Sequence, residues 1–409
     1  MIGSRTGTVA ARLAAPVAVL AALLAVGPPV AIAETGPAGL EFYSPAADLV
    51  PGEHGSVIRS RPLTGDPALP GARNYLVLYR SVDMQGAPVA VSGTLAVPEG
   101  EPPAGGWPLI SWAHGTTGTA DVCAPSRDTD PSFPAHDYTA RARDVQARWI
   151  AAGYAVAQTD YQGLGTPGAH GYLIGEAEQR AVADMATAAR VVAPEVGTRW
   201  VAMGHSQGGQ AAIFANARSQ EWAPGMRLLG SVAMAPASHL GPVVRGLGVI
   251  GHAGIAADRV PAGSVAFLPL FIRGAETVAP IDPSTFLAPQ ALSMLGQADD
   301  RCVGQLRAAD SWGGLDPDTV FTDDPDVDAL AGVLDANDPS SLPLTTPLLV
   351  QQGSGDIVVL PLATDAMVAQ QRIAGQAVDY RTYSGIDHRG LLEAGYDDAL
   401  AWVNTRFGR

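Results

Sequence analysis

Val201-Ala202-Met203-Gly204-His205-Ser206-Gln207-Gly208-Gly209-Gln210-Ala211-Ala212 is the stretch from which the rest of the chain takes its meaning. An apolar β-type run, Trp200 to Met203, stops at Gly204. One serine follows, then two glycines and an alanine-rich segment of helical character. This is a G-x-S-x-G strand–turn–helix, whose turn is so tight that Gly204 and Gly208 have no room for a Cβ. Such a turn predicts a strained Ser206 with its Oγ exposed at a helix N-terminus, where partial positive charge favours a developing anion. A glycine-rich corner with an incidental serine shares the local pattern, so the assignment of a nucleophile depends on finding its partners.

A serine hydroxyl is a weak nucleophile at neutral pH and needs a base, itself oriented by an acid. On a strand–turn–helix of this kind the partners follow in the chain order Ser, acid, His. The strand Leu348 to Gln351 runs into Gly353-Ser354-Gly355-Asp356-Ile357-Val358-Val359-Leu360-Pro361, which puts Asp356 in a turn at a strand end. The next strand leads into Gly385-Ile386-Asp387-His388-Arg389-Gly390, a loop histidine just ahead of the last helix. Ser206 is therefore assigned as nucleophile, His388 as general base and then acid, and Asp356 as the group orienting His388. His205 is expected to point away from the serine. His114, His136, His170 and His252 lie upstream of the acid or inside an insertion, and Asp387 reads as a loop hydrogen-bonder. Two backbone N–H groups are needed to hold the oxyanion. One is that of Gln207; the other is expected from His114-Gly115-Thr116-Thr117-Gly118, with Thr117 favoured.

The surrounding chain supplies a frame for these loops. Gly36 to Pro70 reads as an extended N-terminal wrap, and Tyr75 to Ser81 with Pro88 to Val97 as an antiparallel hairpin. Short apolar strands at Trp107–Trp112, Tyr154–Thr159, Trp200–Met203 and Leu229–Met234 then alternate with helices at 138–152, 177–192 and from Gln207 to about Arg218. That alternation predicts an α/β fold with a mostly parallel central sheet and helices on both faces. It breaks between residues 236 and 343, which read as a mostly helical insertion over the carboxyl ends of the strands. It resumes with a strand at 347–351, a helix at 363–373, a strand at 377–383 and a closing helix at 391–407. The expected organisation is thus a core of residues 34–235 and 344–409 and a lid-like insertion of residues 236–343.

Composition narrows the function classes. A hydrophobic content of 47% supports a sizeable core. Residues 1–33 carry Arg5 and Arg12, an apolar run from Leu13 to Val26 and Ala31-Ile32-Ala33, the marks of a secretory signal peptide cleaved after Ala33. The net charge is −15, and −17 once the two leader arginines are gone, so nucleic acid and anionic membranes are repelled at long range. The chain contains no Lys, which excludes Schiff-base and P-loop chemistry. Two cysteines, Cys123 and Cys302, most simply form one disulfide in an exported chain, free thiols being the other option; a zinc site would need more ligands at short spacing. Asp316 to Asp328 holds six Asp but lacks the Gly and Glu positions of an EF-hand, and Asp160-Tyr161 reads as structural. No metal or organic cofactor, nucleic acid or partner protein is implied.

With these residues placed, the chain from about residue 70 onward resembles the secretory lipase family of the Candida antarctica lipase A type. The most specific pieces are Ser111-Trp112 through Cys123-Ala124-Pro125-Ser126, Gly204 to Gly209, and Asp356 to Pro361. The resemblance implies an α/β-hydrolase core with a helical cap between nucleophile and acid. It implies hydrolysis of acylglycerols and other carboxylic esters, with transient contact at a lipid–water interface, and pairing of Cys123 with Cys302. The chain departs from the family in carrying Thr117 where an Asp can stand, and in lacking a C-terminal flap, since 21 residues follow His388. The expectation is a secreted serine carboxylic-ester hydrolase acting on a small-molecule or lipid ester. An acyltransferase of the same fold and an inactive binding protein are the alternatives.

Overall fold

Strands β5 (Trp107–Ala113) and β7 (Val196–His205) run parallel and adjacent, pairing Ile110 with Val201 and Ala113 with Gly204. Their side chains alternate between two cores. Leu109, Ala113, Trp200 and Ala202 pack in one apolar cluster with helices α2 (Gly175–Val192) and α3 (Gln207–Trp222). Ile110, Trp112, Val201 and Met203 pack in another with α1 (His136–Ala151) on the opposite face. Because both faces are covered, the central parts of these strands, Leu109–Ala113 and Trp200–Met203, are buried at every position instead of alternating apolar with polar.

The structure, a computed structural model, describes residues 1–4, 7, 34–253 and 264–409. Residues 5, 6 and 8–33 of the assigned leader, its apolar run and cleavage site included, and the His252 side chain lie outside what it describes. Ala33–Arg409 forms one compact unit. Among the described residues a ten-stranded sheet has the order β1-β2-β3-β4-β6-β5-β7-β8-β9-β10. The parallel part comprises β6 (Ala155–Thr159), β5, β7, β8 (Arg227–Met234), β9 (Leu348–Gly353) and β10 (Val378–Tyr383). The expected hairpin, β3 (Ala72–Val82) and β4 (Pro88–Pro98), joins it antiparallel through β6. The N-terminal wrap is corrected in part: β1 (Glu34–Thr35) pairs with β2 (Val57–Pro62), which adds antiparallel to β3. The sequence Val-Ile-Arg-Ser-Arg-Pro carries little apolar pattern of its own, and the edge of β3 supplies its hydrogen bonds.

After β8 the chain leaves the sheet. Helices α4 (Leu240–Ala253), α5 (Leu268–Glu276), α6 (Pro289–Met294), α7 (Val303–Leu306) and α8 (Asp328–Ala336) follow, with 3-10 turns between. Phe271, Leu270, Leu306, Trp312 and Leu330 build an apolar cluster of their own there. The chain then returns through β9, α9 (Pro361–Ile373) and β10. The closing helix divides at Gly395 into α10 (Leu391–Ala394) and α11 (Tyr396–Phe407). The Gln351 amide donates to the Gly395 carbonyl at 2.7 Å, and a Cβ at 395 would meet that amide at 2.8 Å. The loops after β5, β7, β8, β9 and β10 all emerge at the carboxyl edge of the sheet, where open α/β sheets bind ligands.

Candidate active site

Ser206 sits between the end of β7 and the start of α3 with φ 61° and ψ −120°, a conformation that side chains rarely adopt. The turn holds because nothing larger than glycine fits around it. A Cβ on Gly204 would lie 2.1 Å from the Gly208 carbonyl oxygen, and one on Gly208 would lie 1.9 Å from that of Ala113. The Ser206 N–H donates to Met234 O at 2.8 Å, which pins the turn to β8. This strain is what places the side chain on the carboxyl edge of the sheet.

The other two residues assigned from sequence meet there. His388 Nδ1 lies 2.7 Å from Asp356 Oδ2. The Asp356 carboxylate is buried and its second oxygen accepts the N–H groups of Val358 and Val359 at 2.8 and 2.9 Å. Gln352 Nε2 adds a longer bond to Oδ2 at 3.2 Å. A carboxylate held this way is fixed in place and orients the imidazole with its proton on Nδ1, leaving Nε2 as the basic nitrogen. Ser206 and His388 line the same cavity, of about 260 Å³, together with Gly115, Thr116 and Arg307. Among the described residues no hydrogen bond joins the serine hydroxyl to the His388 ring. Such contacts tighten when substrate is bound.

The loop after β5 is arranged differently from its expected form. Thr117 is fully buried, lines neither of the two cavities at Ser206, and accepts the Val303 N–H on its carbonyl at 2.8 Å. Its hydroxyl has no partner. Thr116, one residue earlier, faces both cavities, and its Oγ1 pairs with the Tyr172 hydroxyl at 2.7 Å. Neither the Thr116 N–H nor the Gln207 N–H donates a hydrogen bond among the described residues, and Gln207 opens the 16-residue α3. Thr116 thus offers a side chain to the cavities that Thr117 does not.

Several contributors carry no sequence signal of their own. The His205 ring is turned away from the serine and its Nε2 lies 2.8 Å from the His388 carbonyl oxygen. Its Nδ1 lies 3.3 Å from the Tyr138 hydroxyl, which also accepts the Gly115 N–H at 2.6 Å. Burial holds His205 far below the usual histidine range, so the ring is neutral, donating from Nε2 and accepting at Nδ1. On the other side of the turn, Glu178 accepts Gln207 Nε2 at 2.7 Å and the Leu173 N–H at 2.9 Å. Burial raises its carboxyl to about 8. His170 accepts from the same Gln207 amide at 3.1 Å, and burial lowers it to about 4. Asp160 takes Ser92 Oγ at 2.6 Å and the Ser126 N–H at 2.9 Å. Tyr161 donates to the His114 carbonyl at 2.8 Å.

A second cavity, of about 330 Å³, opens from Ser206 under the 236–343 segment. Its walls are mostly apolar, with Leu240, Leu247, Phe267 and Phe271 from the insertion and Val359 from the Asp356 turn. Val243, Ile357 and Leu360 line it and are also exposed at its rim. The disulfide Cys123–Cys302 links the loop after β5 to the start of α7, beside the cavity.

Comparison with known proteins places this architecture. Residues 144–265 match the Secretory lipase family. A curated relative from Mycobacterium tuberculosis, named "Probable inactive lipase MT1628", is 26% identical over 385 residues, covering 90% of this chain and 81% of its own. Among solved structures, Candida antarctica lipase A in its closed state superposes with a TM-score of 0.67 at 18% identity, covering 85% of this chain and 80% of the other. A rice cell wall degrading esterase from Xanthomonas oryzae superposes with a TM-score of 0.66 at 20% identity, covering 87% and 98%. At these identities the structural matches establish a shared α/β-hydrolase fold.

Proposed function

We propose, from the match of residues 144–265 to the Secretory lipase family and from the α/β-hydrolase fold, that this chain is an exported serine carboxylic-ester hydrolase. The observation that carries the proposal is the meeting of three elements at one cavity: the strained Ser206, and His388 held 2.7 Å from a buried Asp356. In this reading the Ser206 hydroxyl attacks the ester carbonyl as His388 Nε2 takes its proton. The N–H groups of Gln207 and Thr116 receive the oxyanion, aided by the positive end of α3. The alcohol leaves with the proton from His388, and water then repeats the sequence on the acyl-enzyme to release the acid.

The larger, apolar cavity takes the acyl chain and the smaller one the alcohol. Residues 236–343 act as the cap that closes the acyl side. The exposed Val243, Ile357 and Leu360 at the rim support water-poor ester substrates met at a lipid–water boundary. A chain-length series of p-nitrophenyl esters on the purified protein and its Ser206→Ala variant tests the reading. Turnover is expected for the parent, and a loss of roughly six orders of magnitude in kcat for the variant. A parent inert toward every ester, or a variant as active as the parent, would overturn it.

A further inference from the structure

Among the described residues Arg307 is the one charged side chain on the wall of the 330 Å³ cavity, and it also lines the 260 Å³ cavity. The two spaces share Ser206, and Arg307 borders both, so it is within the lining available to either part of an ester bound there. The described acids and bases near it have other partners. Asp310, the acid closest in sequence, pairs with Arg301 at 3.7 Å. In the smaller cavity Arg389 pairs with Asp137 at 2.5 Å, and Asp387 accepts the Gly390 N–H at 2.7 Å. Among the described residues Arg307 makes neither an ion pair nor a side-chain hydrogen bond.

The backbone on which Arg307 sits is braced. It follows α7, whose first turn is closed by Cys302 N–H donating to Gln305 Oε1 at 2.9 Å. The disulfide Cys123–Cys302 and the bond from Val303 N to Thr117 O tie that turn to the loop carrying Thr116. The backbone of Arg307 is therefore braced on the same frame as the loop of Thr116, and its exposed side chain reaches into both cavities from there. Solvent hydrates it while the cavities are open. An anionic group on the ester exchanges part of that water for charge-assisted, bidentate bonds from the guanidinium, which a neutral ester cannot accept.

We infer that the preferred substrate is an ester whose alcohol part carries a phosphate or carboxylate within a few bonds of the scissile oxygen, recognised by Arg307. This rests on the hydrolase reading above. The alcohol side is favoured because Tyr138, His388 and Arg389 line the smaller cavity beside Arg307, while the other described residues on the wall of the larger cavity carry no charge. The net charge of −15 opposes an anion only at long range, screened beyond about 8 Å at physiological ionic strength, whereas the guanidinium acts at contact. The reaction itself is unaltered: the acyl C–O bond breaks, water adds, and the phosphate or carboxylate leaves intact on the alcohol.

The test compares 1-decanoylglycerol with 1-decanoylglycerol-3-phosphate, and p-nitrophenyl butyrate with p-nitrophenyl hydrogen succinate, on the full protein and its Arg307→Gln variant. The phosphate ester should exceed its neutral partner in kcat/KM by about tenfold or more, with that ratio falling to near one in Arg307→Gln. Thermal melting of the variant confirms that it is folded. Equal rates on the two glycerol esters, or a preference that survives the substitution, would overturn the inference while the hydrolase reading stands. A preference for the succinate and not the glycerol phosphate would overturn the alcohol-side assignment. No turnover of any of the four, butyrate included, would remove the hydrolase reading and this inference together.

Discussion

The His205 imidazole donates from Nε2 to the main-chain carbonyl of His388 across 2.8 Å, so the residue just before the nucleophile holds the loop that carries the proposed base. The same ring accepts at Nδ1 from Tyr138, whose hydroxyl takes the N–H of Gly115 in the loop of the proposed oxyanion donor. One buried neutral histidine thereby joins the three loops on which the chemistry depends. Because it touches none of the reacting atoms, its role is positional.

His205→Ala should lower kcat by about 10- to 100-fold with KM little changed, since the base is displaced and the cavities are not. His205→Gln keeps an amide donor near the same place and should recover part of the loss. Steady-state kinetics on p-nitrophenyl butyrate separate the two. A parallel fall in KM-dependent binding for both variants would count against a positional role.

Asp356→Asn leaves the turn's shape and removes the charge that selects the Nδ1–H tautomer of His388. The expected loss in kcat is about 10⁴-fold. A drop smaller than tenfold would mean that another group orients the imidazole. The measurement is burst and steady-state kinetics at one pH, against Ser206→Ala as the floor.

Thr117→Val removes a buried hydroxyl that has no partner and keeps the side-chain shape. Activity should stay within about twofold and stability should hold or rise by roughly 1 kcal/mol, the cost of an unsatisfied buried donor. Thr116→Val, in contrast, breaks the bond to Tyr172 and should reduce kcat. If Thr117→Val were the more damaging of the two, the donor would belong at 117.

Replacing both Cys123 and Cys302 by Ala opens a link between positions 179 apart in sequence. The chain-entropy account gives a loss of about 4–5 kcal/mol for a loop of this length. Denaturant titration of parent and variant reads it directly. The variant should also lose activity below its melting temperature, because the same link braces the loop of Thr116 against α7.

Glu178 sets a pH dependence of stability. Burial raises its folded-state carboxyl from 4.5 to about 8, with the bonds from Gln207 and Leu173 opposing. Between those values the folded chain keeps a proton that the unfolded chain releases, so stability falls as pH rises through the window. It is unaffected by this group below the unfolded value and levels off above the folded one. Glu178→Gln retains the acceptor for Gln207 without the proton and should flatten the decline, by ~1 kcal/mol per pH unit near the middle of the window. Urea midpoints between about pH 5 and pH 8 that change equally in both proteins would contradict it.

What the linear chain determined is everything that local chemistry specifies. The Gly204–Ser206–Gly208 corner follows from sterics within five residues, and the steric closeness of Gly208 to Ala113 shows that margin to be real. The parallel sheet followed from short apolar strands alternating with helices, and the order of Ser206, Asp356 and His388 followed from which strand ends carry polar turn residues. Cys123 and Cys302 paired as the resemblance implied. What only the tertiary structure decided depends on contacts between distant segments. Strand β2 exists because β3 offers an edge, although its own residues have weak β character. Thr116 and not Thr117 faces the cavities because α7 takes the Thr117 carbonyl. Glu178, Tyr138 and Arg307 look like ordinary helical or loop residues until folding sets them around Ser206. Their partners lie far away in sequence, and no periodicity encodes a meeting that packing alone brings about.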